Sequence, residues 1–555
     1  MFSVFIKYFY TIKSLKLIQI KYQILKRIQT KRPKFFYGNI KYKQPCFPLT
    51  SYIEKRQSIF PNYEFRLLGS SAHLAQVSWS GKQKSDLWRY NQHYFDDLCS
   101  RTAGPHGDLQ LAVINLWITE NTPCSKPGWD AYPTSLRIVN WIKYQLKYQK
   151  LNSFQLNNLY NQVLWLEQNV EWHLLGNHLF ANAKALIFAG LFFKGEKADI
   201  WLSKGLNILN SEINEQILED GGHFELSPMY HLIFLEDLLD VINICNAYKI
   251  DHTQQYKETV SLCNTKATEM LKWASIMVHP DGRLPFFNDT AMGISASYEA
   301  LRSYANSLGI DFSNVCTWKV RRLEKSGYYI WQSSSSKLFF DVGEVGASYL
   351  PGHAHADTLS IECSINGRSL IVNSGTSEYS VCELRSYQRS TAAHSTLEIN
   401  GENSSETWGS FRVARRAKIT QRACEINEQR VTFSASHNGY SRLPGRYIHQ
   451  RSVECTDNQI RIFDKVTGRL GGELRLYFYL APQVIAKKLS ARRVSLKNDT
   501  GEIDAIVEFS TGYVELKPTS WYPEFGIEQK NSRIEITVVG DLPKHIVTTL
   551  SWKAS

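Results

Sequence analysis

Residues 178–195 read HLFANAKALIFAGLFFKG. Their apolar side chains recur at i, i+3, i+4 and i+7, the spacing of a buried helix face, and Gly195 punctuates the end. The same period runs through TSLRIVNWIKYQLKYQ at 134–149 and YHLIFLEDLLDVINICNAY at 230–248. From about residue 85 to 310, Gly and Pro fall between such segments and no strand pattern interrupts them. Helix following helix without strands predicts an α/α toroid or solenoid rather than a small bundle, although no fixed sequence period marks the repeats. Beyond about residue 325 the period drops to two, as in LSIECSINGRSLIVNSG at 359–375. Asn366-Gly367 and Asn400-Gly401 are hairpin dipeptides between such runs, so a large antiparallel β-sandwich is expected there. SLGIDFSNVCTWKVRRLEKSG, residues 307–327, breaks the helical pattern and sets a boundary near 310–325. The chain is therefore read as a multidomain protein, α then β: a basic arm and lead-in at 1–80, a toroid at 81–315 and a sandwich at 320–555.

A chain of 555 residues is too long for one core, since single cores stop growing near about 250–300 residues. Hydrophobic content of 43%, charged content of 21%, 32 Gly and 17 Pro exclude disordered, collagenous and low-complexity classes. The 14 Trp, 29 Tyr and 27 Phe suit sugar-stacking clefts and ordinary cores alike. Of the net charge of +12, residues 1–50 supply eleven Lys and Arg with no Asp or Glu, which leaves the body nearly neutral. A nucleic-acid groove through that body is not expected. The arm MFSVFIKYFYTIKSLKLIQIKYQILKRIQTKRPK, residues 1–34, interleaves lysines with Phe, Tyr, Ile and Leu at loosely helical spacing. Its uncharged runs fall short of the roughly 18 apolar residues that span a bilayer. It reads either as a solvated helix or as a peripheral contact with an anionic leaflet. No small-residue cleavage site follows an apolar run, so a cytoplasmic or inner-membrane-associated chain is expected. Ten scattered cysteines without a CxxC pair read as reduced, mostly buried thiols.

Three histidine-bearing clusters straddle the boundary. Gly176-Asn177-His178 heads a strong helix, with Trp172 and His173 just before it. GGHFELSPMYH spans residues 221–231, and GHAHAD at 352–357 is followed by VNSGT at 372–376 and by His394. A lone histidine is usually a hydrogen-bonded core residue, but several beside Asn, Tyr and Gly-rich turns point to a site. With LWRYNQHYFDDL, PGWDAYPTSLRIVNW, DGRLPFFND and RSTAAHSTLEINGENSSETWGSFRVARR in the same order, the sequence from about 85 to beyond 420 resembles the heparinase II/III-like polysaccharide lyases. That family pairs an incomplete (α/α) toroid with an antiparallel β-sandwich, as read above.

The resemblance implies β-elimination in a uronic-acid-containing acidic polysaccharide, with periplasmic placement by analogy and an open link to bacterial capsule or surface-polysaccharide metabolism. The C5 proton lies α to a carboxylate, so that group must be neutralised, a base must take the proton, and an acid must protonate O4. Carried over residue by residue, Asn177 and His178 match the carboxylate-neutralising pair, Tyr230 the acid/base tyrosine and His353 the histidine of the β-domain. Neighbouring His178, His231 and His353 are expected to favour the Tyr230 phenolate. The structural alternatives are that Asn177 caps the helix that follows and that Tyr230 and His231 are a buried pair at a helix start after Pro228. Arg137, Asn140, Glu225, Trp172 and His231 are candidates to line the cleft, and Tyr379 and Tyr387 are candidate second tyrosines. The resemblance also implies a divalent ion, often zinc, at His355, Asn373 and His394. Here Asn373 stands where the family has Asp, a poorer ligand unless Asp357 compensates; the alternative is a hydrogen-bonded His-Asn-His brace. Against the lyase stands a non-catalytic or repurposed glycan-binding member of a surface-polysaccharide assembly system. A glycoside hydrolase, needing two carboxylates flanking the scissile bond, fits these Asn, His and Tyr motifs less well.

Overall fold

The computed structural model describes residues 2–28, 33–249, 254–311 and 319–553. Residues 312–318, at the expected boundary, and Gln29–Arg32 of the arm lie outside them. The helical half is built from long helices that follow one another, including Ala131–Tyr148, Gly176–Phe192, Glu196–Gln216 and Pro228–Tyr248. Gly176–Phe192 is buried almost throughout, which explains why its apolar residues are not confined to one stripe. Its neighbours cover it closely: a Cβ at Gly190 would come within 2.6 Å of the Leu202 backbone of the following helix, so only glycine permits that approach. The toroid's core contains the Trp117, Trp129 and Trp141 indoles, all buried.

After Val320 two large antiparallel sheets face each other. The eight-stranded sheet runs from Ile419–Ile426 at one edge to Ile485–Ser490 at the other, and the nine-stranded sheet has Tyr513–Trp521 and Val320–Leu323 at its edges. Ile448–Thr456 and Gln459–Thr467 bury alternate residues, as strands with one face inward must. Rings from opposite sheets meet in the shared core: Tyr329 with Phe433 at 5.5 Å and Phe478 with Phe509 at 6.2 Å. The architecture is an incomplete (α/α) toroid followed by a large antiparallel β-sandwich.

Two stitches join the halves where the cleft lies. The connecting segment around Phe286–Asp289 is fixed to the sandwich: the Phe286 and Asn288 amides donate to Glu362 (2.8 Å) and Asp357 (3.0 Å), and the His355 amide donates to the Asn288 side chain (3.0 Å). Asn288 adopts a left-handed backbone (φ 54°), a conformation Asn tolerates. The lead-in contributes as well. Its small sheet of Ile59–Phe60, Glu64–Leu67 and Ser70–His73 ends in a turn, Leu68–Ser71, that lines the cleft.

Candidate active site

A cleft of about 1200 Å³ opens between the halves. Tyr230 reaches it from the first turn of Pro228–Tyr248, whose start is fixed by Ser227: the Ser227 hydroxyl accepts the Tyr230 N–H (3.2 Å) and donates to the Asp289 carbonyl (2.7 Å). His353 comes from the sandwich side, and its ring stacks on Tyr230 with centroids 3.8 Å apart. The Tyr230 hydroxyl lies 3.1 Å from that of Tyr379. Burial pushes the Tyr230 phenol well above its ordinary value, and the neighbouring Tyr379 and Asp289 push it further. This corrects the expectation of a histidine-stabilised phenolate: the phenol holds its proton.

Asp289 organises the centre. Its carboxylate accepts from His353 Nδ1 (2.9 Å), His355 Nε2 (2.8 Å) and the Arg385 guanidinium. Burial opposes its ionisation, but Arg385 and the two histidines hold it well below the usual carboxylate range. With Nδ1–H assigned to Asp289, Nε2 is the ring nitrogen of His353 left to accept a proton. Glu225 faces that atom at 3.5 Å, and burial raises its pKa.

Asn177 and His178 also line the cleft, at the start of Gly176–Phe192. Asn177 does not cap that helix, which has no side-chain cap. His178 packs on Tyr132 (4.4 Å) and lies 3.3 Å from Glu171. Gly176 is required here: at φ 57° an added Cβ would meet Leu350 at 2.3 Å and Glu225 at 3.2 Å.

Several expected cleft residues lie elsewhere. Arg137 is fully buried over the Trp117 ring (3.9 Å), with its nitrogens on Gln162, Thr134 and the His93 carbonyl. His231 stacks on Trp273 (4.2 Å) and bonds the Met270 carbonyl; burial lowers its pKa to about 3, so it is neutral and cannot support a phenolate. Trp172 meets Tyr22 of the arm at 6.0 Å, outside the cleft. Tyr387 bonds Tyr479 beside Arg533. Asn140 does line the cleft, donating to Asp96 (2.8 Å).

The residues expected to hold a metal do not fit a tightly held divalent ion. His355 Nδ1 and His394 Nε2 lie 3.2 Å apart, within hydrogen-bonding distance, and burial lowers the two rings to about 4 and about 3. The Asn373 side-chain oxygen already accepts the Ser395 N–H (2.9 Å). Asp357 is occupied by the Asn288 amide, and among the described residues no group of three His, Cys, Asp or Glu forms a ligand set. Two imidazoles and one neutral amide oxygen make a weak set for zinc.

Toroid, sandwich and a junctional cleft lined by Asn, His and Tyr define a two-domain protein with its candidate site at the domain boundary. Family models place it further: Heparinase II/III N-terminus matches residues 140–311, and Heparinase II/III-like, C-terminal matches residues 317–552. The chain belongs to the heparinase II/III-like family. It is similar to heparin-sulfate lyases of Bacteroides stercoris (27% identical, covering 56% of this chain and 46% of that protein) and Pedobacter heparinus (25%, covering 60% and 49%). It thus matches about half the length of these relatives. A crystal structure of heparinase III superposes with a TM-score of 0.70 at 19% identity, covering 88% of this chain and 80% of that one.

Proposed function

We propose that this protein is a polysaccharide lyase that cleaves a uronic-acid-containing glycan by β-elimination. One observation carries the reading: Tyr230 and His353, from different halves, stack in the cleft that also holds Asn177 and His178. In this reading the Asn177 amide and His178 neutralise the uronate carboxylate. His353, oriented by Asp289, takes the C5 proton at Nε2. The C5–H electrons form the C4=C5 double bond, the C4–O4 bond breaks, and the departing oxygen takes the proton of Tyr230. Tyr379 Oη, beside Tyr230, is placed to steady that hydroxyl. Hydrolysis is disfavoured because Asp289, one of the two carboxylates flanking His353, is fully buried and engaged by Arg385 and two histidines.

The charge of the cleft supports a sparsely charged substrate. Its lining cations, Lys55, Arg56, Arg66, Lys143 and Lys184, each sit within 4.0 Å of a carboxylate that also lines the cleft. A chain dense in sulfates would need unpaired cations, whereas a single uronate per repeat needs only the Asn177 and His178 donors. An unsulfated surface or capsular uronate glycan is therefore the substrate class proposed. Incubation with uronate polymers of rising sulfation, followed by the ultraviolet absorbance of the C4=C5 product, tests both points. Absorbance should rise with unsulfated polymers and stay flat with heavily sulfated ones. No rise with any uronate polymer would overturn the lyase reading, and preference for the sulfated chains would overturn the substrate class alone.

A further inference from the structure

The helices Phe2–Lys13 and Leu17–Ile28 take no part in the chemistry above. One side of the pair is seated on the body, across both halves. On the sandwich side Tyr8 meets Trp408 edge-on at 4.8 Å, and Trp408 Nε1 donates to the Thr11 hydroxyl (3.2 Å). On the toroid side Lys16 pairs with Glu215 (2.6 Å) and Lys26 Nζ lies 2.8 Å from His173 Nε2. These contacts flank the cleft rim, since Leu174 and Phe411, neighbours of His173 and Trp408, line it.

The other side of the pair is apolar and uncovered. Phe5, Phe9 and Ile12 of the first helix are 70%, 61% and 54% exposed, and Leu17, Ile24 and Ile28 of the second are 85%, 53% and 74% exposed. Spacings of three, four and seven residues put each trio on one helix face. A soluble surface scatters such residues singly, so two aligned stripes mark a face that is covered in use. The charge around them indicates what covers it. Lys13, Lys21 and Arg27 are exposed among the stripes, and residues 1–50 hold eleven basic and no acidic side chains. A second copy would bring lysines against lysines. Nucleic acid would satisfy the charge and leave the Phe, Ile and Leu side chains wet.

We propose that this helical pair docks on an anionic lipid bilayer, with its apolar stripes in the headgroup–acyl boundary and its basic residues on the lipid phosphates, and so holds the cleft rim close to that surface. Apolar burial plus attraction of basic side chains to lipid phosphates is the energetic pattern of interfacial helices. The helices lie on the surface rather than cross it: each has 12 residues, and no helix among the described residues is long and apolar enough to span.

Flotation of the whole protein with phosphatidylcholine vesicles, with and without phosphatidylglycerol as a quarter of the lipid, tests the proposal. The protein should float with the anionic vesicles, at least tenfold less with the neutral ones, and progressively less as salt shortens the screening length from about 10 to about 3 Å. The triple change Phe9→Ser, Leu17→Ser, Ile24→Ser and the double change Lys13→Glu, Lys21→Glu should each cut anionic partitioning at least tenfold with unaltered melting. Failure of the wild type to float with anionic vesicles overturns the proposal, as does variant flotation equal to wild type. A concentration-dependent dimer abolished by the serine changes would also overturn it, assigning the face to a second copy, and tight oligonucleotide binding without flotation would assign it to nucleic acid.

Discussion

Burial, Tyr379 and Asp289 raise the Tyr230 pKa well above its ordinary value, and the role of its hydroxyl can be tested by removing that one group. Tyr230→Phe keeps the ring stacked on His353 and removes only the hydroxyl, so melting and substrate binding should be kept while turnover falls by about 10²–10⁴. Near-normal kcat would show that another group protonates O4. Asp289 makes a different demand. Its loss leaves the buried Arg385 guanidinium without its anion, so Asp289→Ala should cost about 3–5 kcal/mol in denaturant unfolding, and a loss below about 1 kcal/mol would contradict its assigned place. Tyr230, His353, Asn177 and His178 were legible as motif residues, and all four line one cleft. Asp289 was not singled out, although it stands inside the quoted DGRLPFFND, because a loop aspartate carries no mark of the Arg385 that it meets 96 residues later. Arg137 misled for the converse reason: a cation on a helix reads as a ligand-binding group until its burial over Trp117 is seen.

At the scale of elements, the helix Pro228–Tyr248 depends on its cap. Ser227→Ala removes both the Tyr230 N–H acceptor and the donor to the Asp289 carbonyl, so a stability loss of about 1–2 kcal/mol is expected by thermal or urea unfolding. An unchanged transition would show that neither bond is important to the helix start. The helix start at Pro228 was legible, as was the general period-two texture beyond residue 325, which Ile448–Thr456 shows in the fold by burying every second residue. Lys337–Asp341 also lies in the stretch read as strands beyond residue 325, although all five of its residues are buried and its burial does not alternate. The segment at Phe286–Asp289 was legible as part of the motif DGRLPFFND, but its anchoring was not, because it is held by single hydrogen bonds with Glu362, Asp357 and His355 of the sandwich rather than by any periodic face.

For the whole molecule, buried neutral histidines make stability depend on pH. His93, His231 and His394 are lowered by burial to about 3 and His355 to about 4, against about 6.5 in the unfolded chain. Between those values the unfolded chain binds more protons than the fold, so stability rises with pH. The melting temperature should therefore fall as pH drops from about 6.5 toward about 4, and a flat profile would contradict neutral burial. The weak donor set at His355, Asn373 and His394 predicts less than stoichiometric metal by elemental analysis and no change of melting with chelator. A bound ion lost on changing both His355→Ala and His394→Ala would contradict that. The division into a helical and a sheet half was legible from the change of hydrophobic period, whereas the contribution of the lead-in turn Leu68–Ser71 to the cleft was not, since it is a tertiary contact without a local pattern. Elimination and hydrolysis differ in whether an oxygen from water enters the cleaved ends. The direct measurement is the mass of oligosaccharides released from an unsulfated uronate polymer in heavy-oxygen water. Elimination predicts products lighter by one water than hydrolysis would give, with no heavy oxygen incorporated, and their disappearance in Tyr230→Phe. Products carrying one heavy oxygen would contradict it.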